Sequence, residues 1–381
     1  MNGRSSGPKV AASISVVDVV AGYSAPLLKI LSRTQYLHSS NCAGWGQVEV
    51  FSTLRALNQT GRSRTRQEGV TVPADHFRVL SLDGGGAKGF YSLGVLHEIE
   101  GMIGCRLHER FDLIFGTSTG SIIAALLALG YSVSDIHELY KKHLVSVVAQ
   151  REAPDKSRAL AKLAKEVFGD SKFDQVKTNI GIVTTKWVIE KPMIFKGNIA
   201  QAHGRQGTWV PGFGVPIGDA VQASCSAFPF FERKVVKTAA GEDIELIDGG
   251  YCANNPTLYA IADAAGPMGI PHEKMRVVSV GVGNYPEPQK NMLQKAWWHK
   301  KLLSVQLLQK TMEINTQSMD QLRAILFKNI ETVRINDGFT TPEMATDLFE
   351  HDMRKLDILF QRGRESFSTR EAQLKAYLVE E

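Results

Sequence analysis

The chain has 381 residues, 43% hydrophobic and 22% charged, which is ordinary for a soluble globular protein and enough for one large α/β domain. Its net charge of +5 lies wholly ahead of the main body. Residues 1–72 hold eight Lys or Arg and three acids, and the rest of the chain holds 36 of each sign, a poor composition for a DNA- or RNA-binding domain. The four cysteines, Cys42, Cys105, Cys225 and Cys252, sit at no metal-ligand spacing, and so few, so scattered, point to a reducing compartment.

Residues 1–75 are rich in Ser, Arg and Gly and only weakly periodic, which predicts a poorly ordered leader segment. The most apolar window, residues 14–31, is broken by Asp18, Pro26 and Lys29. It is no transmembrane span and begins too far in for an ordinary signal peptide, though a short amphipathic helix fits there. From residue 77 the pattern tightens. Residues 77–82 form an apolar strand that runs into a glycine-rich turn and a helix bearing Phe90, Leu93, Leu96 and Ile99 on one face. A strand at 113–115, a second glycine-marked turn and an apolar helix at 121–129, stopped by Gly130, follow. Residues 135–178 read as helical. Strands are expected at 181–189, 193–195, 245–247 and 276–282, with a helix at 217–227. Strands alternating with helices predict a three-layer α/β fold, a mainly parallel sheet covered by helices on both faces. The expected core spans 76–288. After that the chain reads as helical, with segments near 291–329 and 342–379 forming a C-terminal part packed on the core.

Three motifs carry chemistry. Gly116-Thr117-Ser118-Thr119-Gly120 fits G-x-S-x-G between a strand and a helix. That is the nucleophile-elbow arrangement, in which side chains at Gly116 and Gly120 would collide with the neighbouring strand and helix. The bland alternative is a serine that only caps the helix. Asp83-Gly84-Gly85-Gly86-Ala87-Lys88-Gly89 offers backbone N–H groups to one cavity, an array suited to a developing oxyanion, with Lys88 as an added positive charge. Gly84, Gly86 and Gly89 also satisfy G-x-G-x-x-G, the dinucleotide fingerprint. Asp83 is an awkward neighbour for a pyrophosphate, and the acid that such a site expects further on is misplaced. Asp248-Gly249-Gly250 follows an apolar strand. Its glycines permit a sharp turn that leaves a carboxylate at a strand end, able to take the Ser118 proton once desolvated. The alternative is an acidic turn residue. A Ser-His-acid triad in the α/β-hydrolase order would need His272, His299 or His351, none of which sits in a glycine-marked turn. A Ser118–Asp248 dyad is the better reading. The α/β-hydrolase esterase and the nucleotide-binding regulatory module remain the alternatives.

The ordered set D-G-G-G-x-[K/R]-G, G-x-S-x-G and D-G-G resembles the patatin-like phospholipases. Residues 251–256, the Ser/Ala-rich segment 223–231 and the glycine-ended strand 277–283 look like theirs as well. This resemblance, over residues 77–285, implies a Ser–Asp dyad with neither histidine nor metal, and hydrolysis of lipid esters through an acyl-serine. It makes Ser118 the nucleophile and Asp248 the general base. Gly84, Gly85, Gly86 and Lys88 become the oxyanion site, and Gly116, Gly120, Gly249 and Gly250 support the turns. Residues 78–91 and 111–115 further resemble bacterial patatin-like effectors of anti-phage signalling. That narrower likeness implies activation by a cyclic dinucleotide and attack on membrane phospholipids, from the cytoplasm at the inner membrane surface. The expected partners are therefore membrane phospholipids and a cyclic dinucleotide, with no DNA or RNA. Self-association into a homo-oligomer stays open. Trp297 and Trp298, among Lys295, Lys300 and Lys301, suit an interfacial anchor or packing on the sheet. Phe228, Phe230 and Phe231 suit an acyl channel or the core.

Overall fold

The computed structural model describes residues 76–204, 206–286 and 292–379, with side chains described outside 292–305. The expectations for residues 1–75, and for the side chains of Trp297, Trp298 and His299, lie outside the described residues.

Among the described residues eight strands form one sheet: β1 (Phe77–Leu82), β2 (Leu113–Thr117), β3 (Asn179–Lys186), β4 (Lys191–Lys196), β5 (Lys234–Lys237), β6 (Asp243–Asp248), β7 (Met275–Val280) and β8 (Glu331–Ile335). The order β3-β2-β1-β7-β8 is parallel throughout. Beyond β3 the sheet turns antiparallel: β6 pairs with β3, β5 with β6, and β4 returns on β3 as a hairpin. The sheet is thus mostly parallel, as its continuous apolar strands require. Leu80 and Leu82 enter one buried layer while Val79 enters the other, so β1 has no solvent face.

The principal helices are α1 (Gly89–Ile103), α2 (Thr119–Leu129), α3 (Ala153–Phe168), α4 (Ile217–Ser224), α5 (Thr257–Ala265), α6 (Met292–Leu326) and α7 (Met353–Ser368). Helix α2 is buried along nearly its whole length, apolar on every side, as befits a helix enclosed by others. Ala260, Ile261 and Ala264 of α5 close the opposite layer. Helix α7 lies against α1 with almost no gap. A Cβ on Gly94 would fall 2.0 Å from the Phe360 carbonyl oxygen, and one on Gly363 would fall 2.0 Å from that of Tyr91.

Two features depart from expectation. The chain after residue 288 is not purely helical, because β8 adds a parallel edge strand to β7. The second departure is at 181–189: β3 ends at Lys186, and residues 187–190 form the turn into β4.

Candidate active site

Ser118 stands between the end of β2 and the start of α2, with φ 52° and ψ −124°. A serine at positive φ is strained, by an amount of order 1–3 kcal/mol, and persists only where its surroundings fix it. Here they do. A Cβ on Gly116 would lie 2.3 Å from the Gly120 carbonyl oxygen, and one on Gly120 would lie 2.4 Å from that of Leu82. Both flanking positions are therefore restricted to glycine. The Ser118 N–H donates to Ser224 Oγ at 2.9 Å, and the Ser224 hydroxyl donates to the Val183 carbonyl at 2.6 Å. This buried serine ties the elbow to β3 through α4.

Sheet register brings the carboxylate to the serine. Thr117 is level with Val183, and the next residue, Thr184, is level with Asp248. The strand carrying Asp248 runs antiparallel to β3, so the rule that places chemistry at the carboxyl ends of parallel strands does not account for it. The β3–β6 register does. The Ser118 hydroxyl donates to Asp248 Oδ2 at 2.7 Å, and the Gly250 N–H donates to Oδ1 at 2.7 Å. Asp248 is fully buried and Ser118 is 9% exposed. Burial pushes the Asp248 carboxyl from 3.8 up to about 7, against the opposing pull of the Ser118 and Gly250 hydrogen bonds. A Cβ on Gly249 would meet the Val183 carbonyl oxygen at 2.2 Å, so the turn after Asp248 also needs its glycine.

Among the described residues no histidine bonds Ser118 or Asp248. His272 precedes β7 and meets Asn329, and exposed His351 faces the Phe349 carbonyl. No group of three His, Cys, Asp or Glu side chains is arranged to hold a metal ion among them either.

The glycine loop crosses beside Ser118, but its members differ in what they can offer. The Gly84 N–H donates to the Asn254 carbonyl at 2.9 Å and is spent there. Among the described residues the Gly85 and Gly86 amides meet no backbone acceptor. Gly86 has φ +58°, and a Cβ on it would lie 2.3 Å from the Leu348 carbonyl oxygen. The buried Lys88 ammonium lies 3.5 Å from Glu313 of α6, at a cavity that Gly84 and Gly85 also line. Burial lowers its pKa, against the pull of Glu313. Of the four groups expected at an oxyanion, Gly84 has its amide bonded to Asn254 and Lys88 pairs with Glu313, while the Gly85 and Gly86 amides face no backbone acceptor among the described residues.

Gly85, Gly86, Ser118 and Asp248 open into one cleft of about 530 Å³, part of it open to solvent. Its walls are apolar, with Ile122, Leu144, Val147, Leu160, Phe231 and Phe349 among them. Of the expected aromatic channel, Phe231 lines the cleft, Phe230 is buried against the Phe349 ring, and Phe228 lies further out against Trp187.

Sequence reasoning missed several supports. Arg334, from β8, holds Asp83 through two guanidinium nitrogens and also donates to Ser279 Oγ at 2.9 Å. Asn254 Nδ2 donates to the Gly84 carbonyl at 3.1 Å and to Thr316 Oγ1 of α6 at 2.8 Å. The Asn254 N–H donates to Asn315 Oδ1 at 2.8 Å. Helix α6 thereby holds both the glycine loop and the turn after Asp248. Only the Asn in the segment after Asp-Gly-Gly carried a sequence signal.

Residues 80–261 match the family model described as patatin-like phospholipase. The chain is 65% identical over 302 residues to the cUMP-AMP-activated phospholipase of Escherichia coli, covering 79% of this chain and 94% of that protein. It is 28% identical over 232 residues to the cGAMP-activated phospholipase of Vibrio cholerae, covering 54% of this chain and 63% of that one. Among solved structures, VipD of Legionella pneumophila aligns with a TM-score of 0.42 at 14% identity, over 80% of this chain and 67% of that chain. A serine bonded to a buried aspartate, with this degree of identity along nearly the whole of a phospholipase, leaves one assignment: the chain belongs to the patatin-like phospholipase family and is a serine acyl hydrolase.

Proposed function

We propose that the chain cleaves the fatty-acyl esters of membrane phospholipids with Ser118 as nucleophile and Asp248 as general base. The 2.7 Å hydrogen bond from the Ser118 hydroxyl to Asp248, inside an apolar cleft, is the observation that carries this reading. Ser118 Oγ attacks the acyl carbon as its proton passes to Asp248. The Gly85 and Gly86 amides receive the oxyanion. The intermediate collapses, the glycerol oxygen leaves with the proton from Asp248, and the acyl group stays on Ser118. Water then attacks, giving its proton to Asp248. The second collapse releases the fatty acid and returns that proton to Ser118. Base and oxyanion donors both come from the chain, so the mechanism calls on no metal or other cofactor.

A cyclic dinucleotide is the proposed activator, on the strength of the two bacterial relatives named for activation by cUMP-AMP and cGAMP. The proposed place of action is the cytoplasmic surface of the inner membrane. No helix among the described residues is long and apolar enough to cross a membrane. Fatty-acid release from phosphatidylethanolamine–phosphatidylglycerol vesicles tests both parts, using wild type and Ser118→Ala with and without cyclic UMP–AMP. Release by wild type only, increased by the nucleotide, is expected. Release by Ser118→Ala would overturn the catalytic reading, and equal release without nucleotide would overturn the activation.

A further inference from the structure

The turn between β3 and β4 carries three consecutive apolar side chains in water: Trp187 is 40% exposed, Val188 76% and Ile189 53%. Turns are ordinarily built from Gly, Pro, Asn, Asp and Ser. An exposed apolar run of this kind marks a surface that something covers.

Its position says what. Thr184 is level with Asp248, and Lys186, two residues on, is roughly 7 Å further along the strand at about 3.3 Å per residue. The turn therefore projects from the end of the sheet that holds the Ser118–Asp248 pair. An apolar path joins the two. The Trp187 ring lies 5.4 Å from that of Phe228. Phe228 directly follows Ala227 and precedes Phe231, and both of those residues line the catalytic cleft.

Three cations, Lys186, Lys191 and Arg233, stand at the base of this tip, against one exposed carboxylate, Glu190, which closes the turn. Lys186 and Lys191 face each other across the hairpin. The Arg233 guanidinium lies over the Trp187 ring at 5.1 Å and the Phe228 ring at 5.4 Å, while also meeting Glu245. An apolar tip, an aromatic collar and cations behind them form the order in which a bilayer presents acyl chains, interface and phosphates.

We propose that the β3–β4 turn seats the protein on a phospholipid bilayer that contains anionic lipid. Val188 and Ile189 enter the acyl region, Trp187 lies at the interface, and Lys186, Lys191 and Arg233 meet phosphates. The apolar path through Phe228 then leads a lipid chain to Ser118. This inference rests on the reading of the site as a phospholipase, because the occupant of the tip is taken to be the aggregate that supplies the substrate.

The test is vesicle flotation with Ser118→Ala protein, so that binding is read without hydrolysis. Vesicles of phosphatidylethanolamine and phosphatidylglycerol are used, without nucleotide and with cyclic UMP–AMP. The Ser118→Ala protein is expected to float with the vesicles in at least one of these states. Adding Val188→Ser and Ile189→Ser is expected to lower the bound fraction at least about tenfold. With Ser118 restored, the double variant should keep its thermal midpoint and its hydrolysis of p-nitrophenyl butyrate, while hydrolysis of vesicle lipid falls in step with binding. Equal flotation of the two proteins would overturn the proposal, as would no flotation of the parent in either state. Wild type that binds vesicles but hydrolyses neither substrate would instead refute the catalytic reading.

Discussion

Replacing Asp248 by Asn isolates the energetic consequence of burying the base. Asn keeps the shape. Its oxygen can accept from the Gly250 N–H and its amide can donate to Ser118 Oγ, so the change is mainly one of titration. The wild-type carboxyl moves from 3.8 to about 7 on folding because it is buried. Each pH unit of displacement corresponds to about 1.4 kcal/mol, so ionising Asp248 in place costs the fold on the order of 4 kcal/mol. The sign follows from proton binding. The folded state holds this proton more tightly than the unfolded state, so the contribution is full below about pH 4 and is lost as pH rises through about 7. The Asp248→Asn protein has no such loss, because its amide does not titrate. Urea unfolding of both proteins from pH 4 to 9 should therefore show the variant gaining about 4 kcal/mol relative to wild type across that range. Other titrating groups are common to both and cancel. Catalysis should run the other way. Wild-type kcat/KM on a soluble ester should rise with a midpoint near 7, and the variant should lose about 10²–10⁴-fold. Parallel stability curves would refute the claim that Asp248 is a desolvated carboxylate, and a variant with wild-type activity would refute its role as base.

Three further changes probe the supports. Gly86→Ala places a methyl 2.3 Å from the Leu348 carbonyl oxygen at a φ of +58°; a loss of more than about 1 kcal/mol together with ester hydrolysis is expected, read by urea unfolding and a rate assay. Ser224→Ala removes the hydroxyl between the Ser118 amide and the Val183 carbonyl. It should cost about 1–3 kcal/mol and lower kcat more than it changes KM, whereas unchanged kcat would show that the elbow holds itself. Arg334→Met leaves Asp83 buried without its ion partner, at about 3–5 kcal/mol; adding Asp83→Asn should restore most of that stability, and a second variant no more stable than the first would refute the pairing.

What the sequence disclosed follows from how local each requirement is. The elbow was legible because Gly116 and Gly120 are forced by backbone only a few residues away or on the adjoining strand. The Asp248 turn was legible for the same reason. Which amides of the glycine loop stay free was not, since three glycines in a row look alike. It is Asn254, 170 residues further on, whose carbonyl takes up the Gly84 amide. Nor was the Asp83 partner, because Arg334 is 251 residues distant on a short strand between helices. Ser224 gave no signal of its bridging role, as its two partners come from the elbow after β2 and from β3. The apolar run at 187–189 merged with β3 because periodicity cannot separate a buried strand end from an exposed turn.

Among the described residues no histidine joins Ser118 and Asp248, and that bears on the strength of the pair as a base. An ordinary aspartate ionises near 4 and is a weak base for a serine hydroxyl. Burial is what lifts Asp248 to about 7, so the apolar walls that hold substrate also set the strength of the base. Water admitted to the cleft would stabilise the carboxylate and weaken it. On the proposed function, a lipid chain filling the space beside Phe231 and Leu160 would displace that water, and a bilayer seated on residues 187–189 would limit its return from the mouth. Substrate binding and base strength are thus coupled through the same desolvation. If Asp248 is the base, the cost of burying its charge, borne by the fold, would be the source of its reactivity.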